Sequence, residues 1–185
     1  MHFCEDIPAS KTARLTGINR NTVNRYYNAF REHILSWQYK EVMRLSGEIE
    51  VDESYFGARR VRGKRGRGAA GKTPVFGLLK RGGKVFVTVV ASVSRAALLP
   101  IIEGKVLEGS TIYSDGWKAY DGLILNGYDH YRDYHSSNEF DRGEGHINGI
   151  KEDKFIFHLA GCQFRYNNGN KNLMDVLINE NAMLA

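Results

Sequence analysis

The sequence predicts an α/β fold, a mixed sheet flanked by helices with a helix-turn-helix ahead of it, and three observations predict it. Glu48-Ile49-Glu50-Val51-Asp52-Glu53-Ser54-Tyr55-Phe56-Gly57 alternates, with Ile49, Val51 and Glu53 on one face and Glu50, Asp52 and Ser54 on the other, the period of a strand. Downstream, strand-like and helix-like stretches take turns: three strands able to pair antiparallel, then helix, strand, helix, strand, helix, which is the order of a mixed sheet with helices on its faces. Upstream, Ala9 to His33 reads as helix, turn, helix.

In that upstream segment Ser10 is placed to cap a helix through Leu15. Gly17 suits a left-handed turn position, and Asn19 can cap a second helix from Arg20 to about Leu35. Ala13, Gly17 and Val23 supply the small residue, the turn glycine and the branched apolar residue that two such helices need where they touch. Arg20, Asn21, Asn24 and Arg25 then face outward, types that suit phosphates and base edges. Hardly any chain precedes Ser10, so the module is expected without a supporting first helix. Trp37 to Leu45 continues as helix and Ser46-Gly47 ends it; the expected boundary puts a DNA-binding segment at 1–46 and a catalytic segment at 47–185.

After the first strand, Thr73 to Leu79 and Lys84 to Val90 flank Lys80-Arg81-Gly82-Gly83, a hairpin signal. Ser94 to Ile102 has helical spacing, with Ser94 as cap and Pro100 marking an early end. Thr111 to Ser114 is the next strand, Trp117 to Leu125 a helix, and Gly127 to Tyr134 a short strand. Lys151 to Tyr166 is amphipathic with Phe155, Leu159, Cys162 and Tyr166 on one stripe, and Leu173 to Leu184 is a last helix. The aromatics Phe155, Phe157, Phe164 and Tyr166 are expected as core, since they ride a helix.

At 42% hydrophobic and 25% charged the 185 residues have an ordinary globular composition. No run approaches the roughly 18–20 apolar residues of a membrane span, and Met1 to Ser10 carries Glu5 and Asp6 rather than the apolar core of a signal peptide. A cytoplasmic, nucleoid-associated location is expected. Cys4 and Cys162 stand far apart and are expected as reduced thiols. The net charge of +5 is local. Arg59, Arg60, Arg62, Lys64, Arg65, Arg67 and Lys72 fall in one Gly-rich tract without an acidic residue, and the rest of the chain is net acidic. Such a tract suits a clamp on a phosphate backbone, weakening steeply with salt.

Asp52 sits mid-strand, where carboxylates are depleted. Asp115, 63 residues on, ends a short apolar strand at a glycine turn, Tyr113-Ser114-Asp115-Gly116-Trp117. If the two strands are neighbours, the pair can hold hard cations, which take oxygen ligands. Paired ions about 4 Å apart serve in-line phosphoryl displacement. Glu53 should point to the opposite face of its strand. His130, His135 and His146 cluster in a polar region but match no common zinc spacing. Asp121, Asp129, Asp133 and Asp141 read as solvated charges.

Taken together, Val51-Asp52-Glu53-Ser54-Tyr55-Phe56-Gly57, the basic tract, Thr73-Pro74-Val75-Phe76-Gly77, Tyr113-Ser114-Asp115-Gly116-Trp117-Lys118-Ala119-Tyr120, His146-Ile147-Asn148-Gly149-Ile150 and Phe164-Arg165-Tyr166-Asn167 resemble the ISXO-type DDE transposases of bacterial insertion sequences. The resemblance implies a ribonuclease H-like catalytic domain whose first strand lies beside its fourth. It implies two Mg²⁺ (or Mn²⁺) ions held by Asp52, Asp115 and a third acid. The implied reaction is hydrolysis at the ends of the element in double-stranded DNA, then attack of the freed 3′-hydroxyl on target DNA. His146 and Asn148 match the motif just before the third acid and are implied contacts to DNA, and assembly on two ends implies a homo-oligomer.

The chain departs from that pattern at one place. Lys151 stands where the resemblance expects Glu, and the Trp-containing basic helix that should follow is missing. A loss between two similar Asn-Gly-Ile segments would produce this. Glu152 is the nearest candidate for the third acid, although one step along a helix turns a side chain by about 100°. The expectation is a transposase whose catalytic set lacks its usual third ligand. Two rivals stay open: a DNA-binding protein that uses the sheet only as scaffold, and a metal-dependent nuclease that nicks without joining.

Overall fold

The computed structural model describes residues 1–40, 43–57, 72–115, 120, 123–132 and 152–182. It contains five strands and five α-helices among these residues. They form two compact units: Met1–Val42 with Lys154–Ala185, and Met43–Asp153. The second unit begins near the expected boundary at residue 47, but the last two helices cluster with the N-terminal ones rather than with the sheet.

In the first unit, α1 (Ala9–Thr16) and α2 (Arg20–Lys40) meet at Gly17, which adopts φ 73° and so escapes the Cβ penalty of a left-handed residue. Ser10 does not cap α1. The helix starts two residues earlier, with Pro8 at the cap and no side-chain bond there. Asn19 does cap α2: its Oδ1 accepts the backbone N–H of Asn21 at 2.8 Å. The helices are tied by the Thr12 hydroxyl against the Tyr27 hydroxyl at 2.7 Å, while Tyr27 donates to the Ile7 carbonyl at 3.0 Å. α2 is longer than expected, 21 residues. Residues beyond Lys40 do not extend it as far as Leu45, which instead bridges Val106 in extended form with 2% exposure.

Two further helices, α4 (Glu152–Asn168) and α5 (Leu173–Ala182), complete this unit. Its core is Phe3, Val23, Tyr27, Ile34, Ala160, Phe164 and Leu177. The buried stripe of α4 is Phe155, Ala160 and Phe164, whereas Cys162 and Tyr166 face solvent. The expected stripe through Cys162 and Tyr166 keeps helical period, but α4 buries the face of Ala160 and Phe164 instead. Trp37 meets Phe164 edge-on at 6.1 Å, and the Gln38 amide donates to the Ala160 carbonyl. Both cysteines are free thiols.

In the second unit, β1 (Glu48–Gly57) pairs antiparallel with β2 (Lys72–Lys80), and β2 with β3 (Val85–Val89). The β2–β3 turn carries Gly82 at φ 65°, as a tight hairpin requires. After α3 (Arg95–Lys105), β4 (Thr111–Ser114) lies parallel to β1, and β5 (Asp129–Arg132) parallel to β4. The strand order is β3-β2-β1-β4-β5. Pro100 does not end α3 but sits inside it, and Ser94 holds the cap position without a side-chain bond to the helix. Of the helix expected over 117–125, the described part is a 3₁₀ turn, Ile124–Asn126. α3 covers the sheet face made by Ile49, Val51, Phe76, Leu78 and Ile112, with Leu98 and Ile102 buried against it. No helix among the described residues is long and apolar enough to cross a membrane.

Candidate functional site

β1 and β4 are parallel neighbours with Ile49 opposite Ile112 and Glu50 opposite Tyr113. The recorded pairing ends there; Asp52 lies two residues further along β1, and Asp115 directly follows β4. Glu50 and Tyr113, one alternation before each aspartate, share a single guanidinium. Arg81 bonds Glu50 at 2.6 Å and stacks over the Tyr113 ring at 3.9 Å. Period two then places Asp52 on that face as well, and Asp115 follows directly after the end of β4. Two carboxylates on adjacent strands are an oxygen donor pair of the kind a hard divalent cation takes.

The surroundings are built to keep the pair apart from the core. Asp52 Oδ1 accepts the backbone N–H of Glu53 at 2.8 Å. Across the β1–β2 ladder Asp52 faces Gly77, where an added Cβ would meet only ordinary contacts at 3.8 Å. The position beside Asp52 therefore carries no side chain although packing would admit one. Ser114, buried just before Asp115, bonds the Asp115 carbonyl at 2.9 Å and the His130 imidazole at 2.7 Å, which fixes the end of β4.

Glu53 takes the opposite face, as expected, and there it has a partner that sequence reasoning missed. Tyr120, 1% exposed, donates its hydroxyl to Glu53 Oε1 at 2.5 Å. The available signal was Glu53 sharing a face with Ile49 and Val51, because a carboxylate on a core face needs a donor. Burial first, then Glu53, Asp115 and Asp52 in that order of residues, push the Tyr120 phenol well above its usual range. Three carboxylates thus act on one phenol, and their field marks the place where negative charge gathers.

Tyr120→Phe is expected to cost about 1–3 kcal/mol, because it withdraws a donor from a carboxylate on the buried face. Urea unfolding at neutral pH measures it. The unfolded chain releases this phenolic proton near pH 10 while the folded chain holds it to higher pH. The contribution is complete below pH 10 and lost as pH rises above it. The variant should therefore show a flatter fall in stability above pH 10 than the wild type.

The other expected residues separate into three groups. Arg20, Asn21, Asn24 and Arg25 occupy the first turns of α2, and the last three line a shallow depression of about 430 Å³ with Asn28, Ala29 and Glu32. Arg20, Asn21 and Arg25 are exposed and Asn24 is half-buried, while Val23, Tyr27 and Ile34 of the same helix are buried. Lys72 opens β2. Arg59, Arg60, Arg62, Lys64, Arg65, Arg67, His146, Asn148 and Lys151 lie outside the described residues, as does the side chain of Glu152, whose backbone begins α4. Of the three histidines, His130 bonds Ser114, and His135 and His146 lie outside. Among the described residues no three His, Cys, Asp or Glu side chains gather as a metal set.

Comparison with known proteins places this geometry. Residues 44–153, more than half of the chain, match the family described as ISXO2-like transposase domain. The matched stretch nearly coincides with the compact unit Met43–Asp153. The chain is 34% identical over 101 residues to an uncharacterized transposase-like protein of Haemophilus influenzae, covering 46% of this chain and 82% of that protein. It is also 34% identical over 156 residues to an uncharacterized protein in transposable element ISH50 of Halobacterium salinarum, covering 65% of this chain and 52% of that protein. The chain thus spans about half the length of this second relative.

Proposed function

Since the chain belongs to the ISXO2-like transposase domain family, we propose that Met43–Asp153 is a ribonuclease H-like catalytic unit for metal-dependent cleavage and joining of DNA. The observation that carries this reading is the parallel pairing of β1 with β4, which puts the strand that bears Asp52 beside the strand that leads into Asp115. The strand order β3-β2-β1-β4-β5, with two antiparallel and two parallel pairings, supports it.

Asp52 and Asp115 would hold Mg²⁺ or Mn²⁺, and when bound such an ion lowers the pKa of a coordinated water and neutralises charge on a phosphoryl oxygen. The chain's own part is positional. Asp52 and Asp115 would fix the ions beside the bare position at Gly77, where a backbone phosphate can approach the sheet without meeting a side chain. Glu53 and Tyr120 tie β1 to the segment after β4, so the two aspartates keep their spacing. Glu152 is proposed as the third acid, with Lys151 as the departure that weakens the set. The face of Arg20, Asn21, Asn24 and Arg25 on α2 would dock double-stranded DNA as a helix-turn-helix. Arg59, Arg60, Arg62, Lys64, Arg65, Arg67 and Lys72, with His146 and Asn148, would hold the backbone near the cut. Two ends must be held at once for joining, so a homo-oligomer on DNA, acting at the nucleoid, is part of the proposal.

The test is incubation of a duplex carrying the ends of the element with Mg²⁺, with Mn²⁺ and with EDTA. Nicking at the ends that needs a divalent ion, followed by joined products, supports the proposal. Nicks without joined products would leave a nuclease. Salt-sensitive binding with no cleavage in any metal would leave a DNA-binding protein.

A further inference from the structure

The helical unit contains a cluster of positive charge that the proposed reaction does not use. Arg31 on α2 and Arg165 on α4 converge above Gly161. A Cβ built on Gly161 would lie 3.7 Å from Arg165 Nη1 and 3.9 Å from Arg31 Cγ, so both side chains run over the bare backbone of this glycine. His158 lies one turn before Gly161, and Lys154 one turn before that. Asp6 is the carboxylate that answers them, bonded to Arg165 at 2.9 Å and 71% exposed.

Among the described residues most of the N–H donors of this cluster have no acceptor. A guanidinium has five N–H donors in a planar fork. Arg165 uses one nitrogen, on Asp6 and, at 3.6 Å, on the Cys162 sulfur. Among the described residues Arg31 makes only ring contacts, 5.6 Å over Phe3 and 5.7 Å over Tyr27. These rings hold the fork rigid without satisfying its N–H groups. The electrostatics agree. Burial and then Arg165 disfavour the charge on Arg31. Burial, then Arg31 and Arg165, hold the His158 imidazole down at about 4. Like charges gathered at a half-buried place, with donors free and one exposed carboxylate, are the makings of an oxyanion site.

We propose that Arg31 and Arg165, straddling Gly161 with His158 beneath them, form a phosphate-binding site that takes a backbone phosphodiester of DNA. Phosphate geometry matches the fork, and Asp6 is the group it would displace from Arg165 or share it with. The choice of DNA as the source rests on the function proposed above. The site belongs wholly to the unit Met1–Val42 with Lys154–Ala185, and Asp52 and Asp115 belong to the other unit.

His158 is the reporter, and it needs no mutation. The full chain carrying Asp52→Asn, kept in EDTA so that cleavage plays no part, is titrated by NMR through the His158 ring protons. The titration is done free, with a short duplex, and with inorganic phosphate at matched ionic strength. A bound phosphate beside the ring should raise its midpoint from about 4 by roughly one unit or more. Arg31→Gln and Arg165→Gln should each reduce the salt slope of duplex affinity by about 0.9. Thermal melting and Arg165→Lys, which keeps the charge and the slope, separate this effect from misfolding. If neither duplex nor inorganic phosphate moves His158, the site is overturned. If inorganic phosphate moves it and the duplex does not, a free anion is the ligand and DNA is excluded. Absent duplex binding altogether would instead sink the DNA-binding reading itself, and lost cleavage would show only in Mg²⁺, so each failure is distinct.

Discussion

Replacing Asp52 by Asn is expected to lower Mg²⁺-dependent cleavage of an end-bearing duplex by about 10³-fold while duplex affinity in EDTA stays nearly unchanged. The argument is one of charge at constant shape. Asparagine keeps the Oδ1 that accepts the Glu53 N–H, so β1 is not disturbed. What it loses is the negative charge that, with Asp115 in the neighbouring strand, would bind a divalent ion. An ion supplies several kcal/mol of charge stabilisation at a phosphoryl group, and each 1.36 kcal/mol is a factor of ten in rate. Asp115→Asn should match it, and the double variant should be no worse than either alone, because residues that act as one unit are not additive. Cleavage surviving in Asp52→Asn would move the chemistry away from this pair.

The second large effect is on stability. Ile112→Ala is expected to cost about 2–5 kcal/mol, a substantial part of the roughly 5–15 kcal/mol that holds a typical domain folded. Ile112 is fully buried in β4 opposite Ile49, also fully buried, and both sit under α3. Removing it opens a cavity between the two strands that carry the aspartates. The urea midpoint should fall with little change in the dependence on denaturant. A loss below about 1 kcal/mol would mean that the site collapses around the gap, against the usual cost of deep core truncation.

What could be read from the residues follows from how local each signal is. Alternation in β1 gave Ile49 and Val51 as core and Asp52 on the other face, because period two is a property of the strand alone. The β2–β3 hairpin, β4 and the left-handed Gly17 were legible for the same reason. Pro100 misled, since a missing N–H and a ring clash are penalties that the buried contacts of Leu98 and Ile102 override. The length of α2 and the end of its helix before Leu45 were set by partners, Phe164 against Trp37 and Val106 against Leu45. An amphipathic stripe says that α4 buries a face but not against what. Its grouping with α1 and α2 was therefore not legible. Of the site, Asp52 was visible as a carboxylate in a strand and Asp115 as one at a strand end, while Glu53 on the core face called for a donor without naming Tyr120, 67 positions away.

The division of the chain has a consequence for the order in which it is made. The sheet unit is encoded by one continuous stretch, Met43–Asp153, whereas the helical unit draws on both sides of it. On a ribosome α1 and α2 emerge before the sheet unit, yet Phe164 and Leu177, which bury their apolar face, are synthesised after it. The outward face of α2 therefore gains its folded support only after the whole sheet has been translated. A message interrupted after residue 153 would yield α1, α2 and the sheet unit without the residues that bury the apolar face of those two helices.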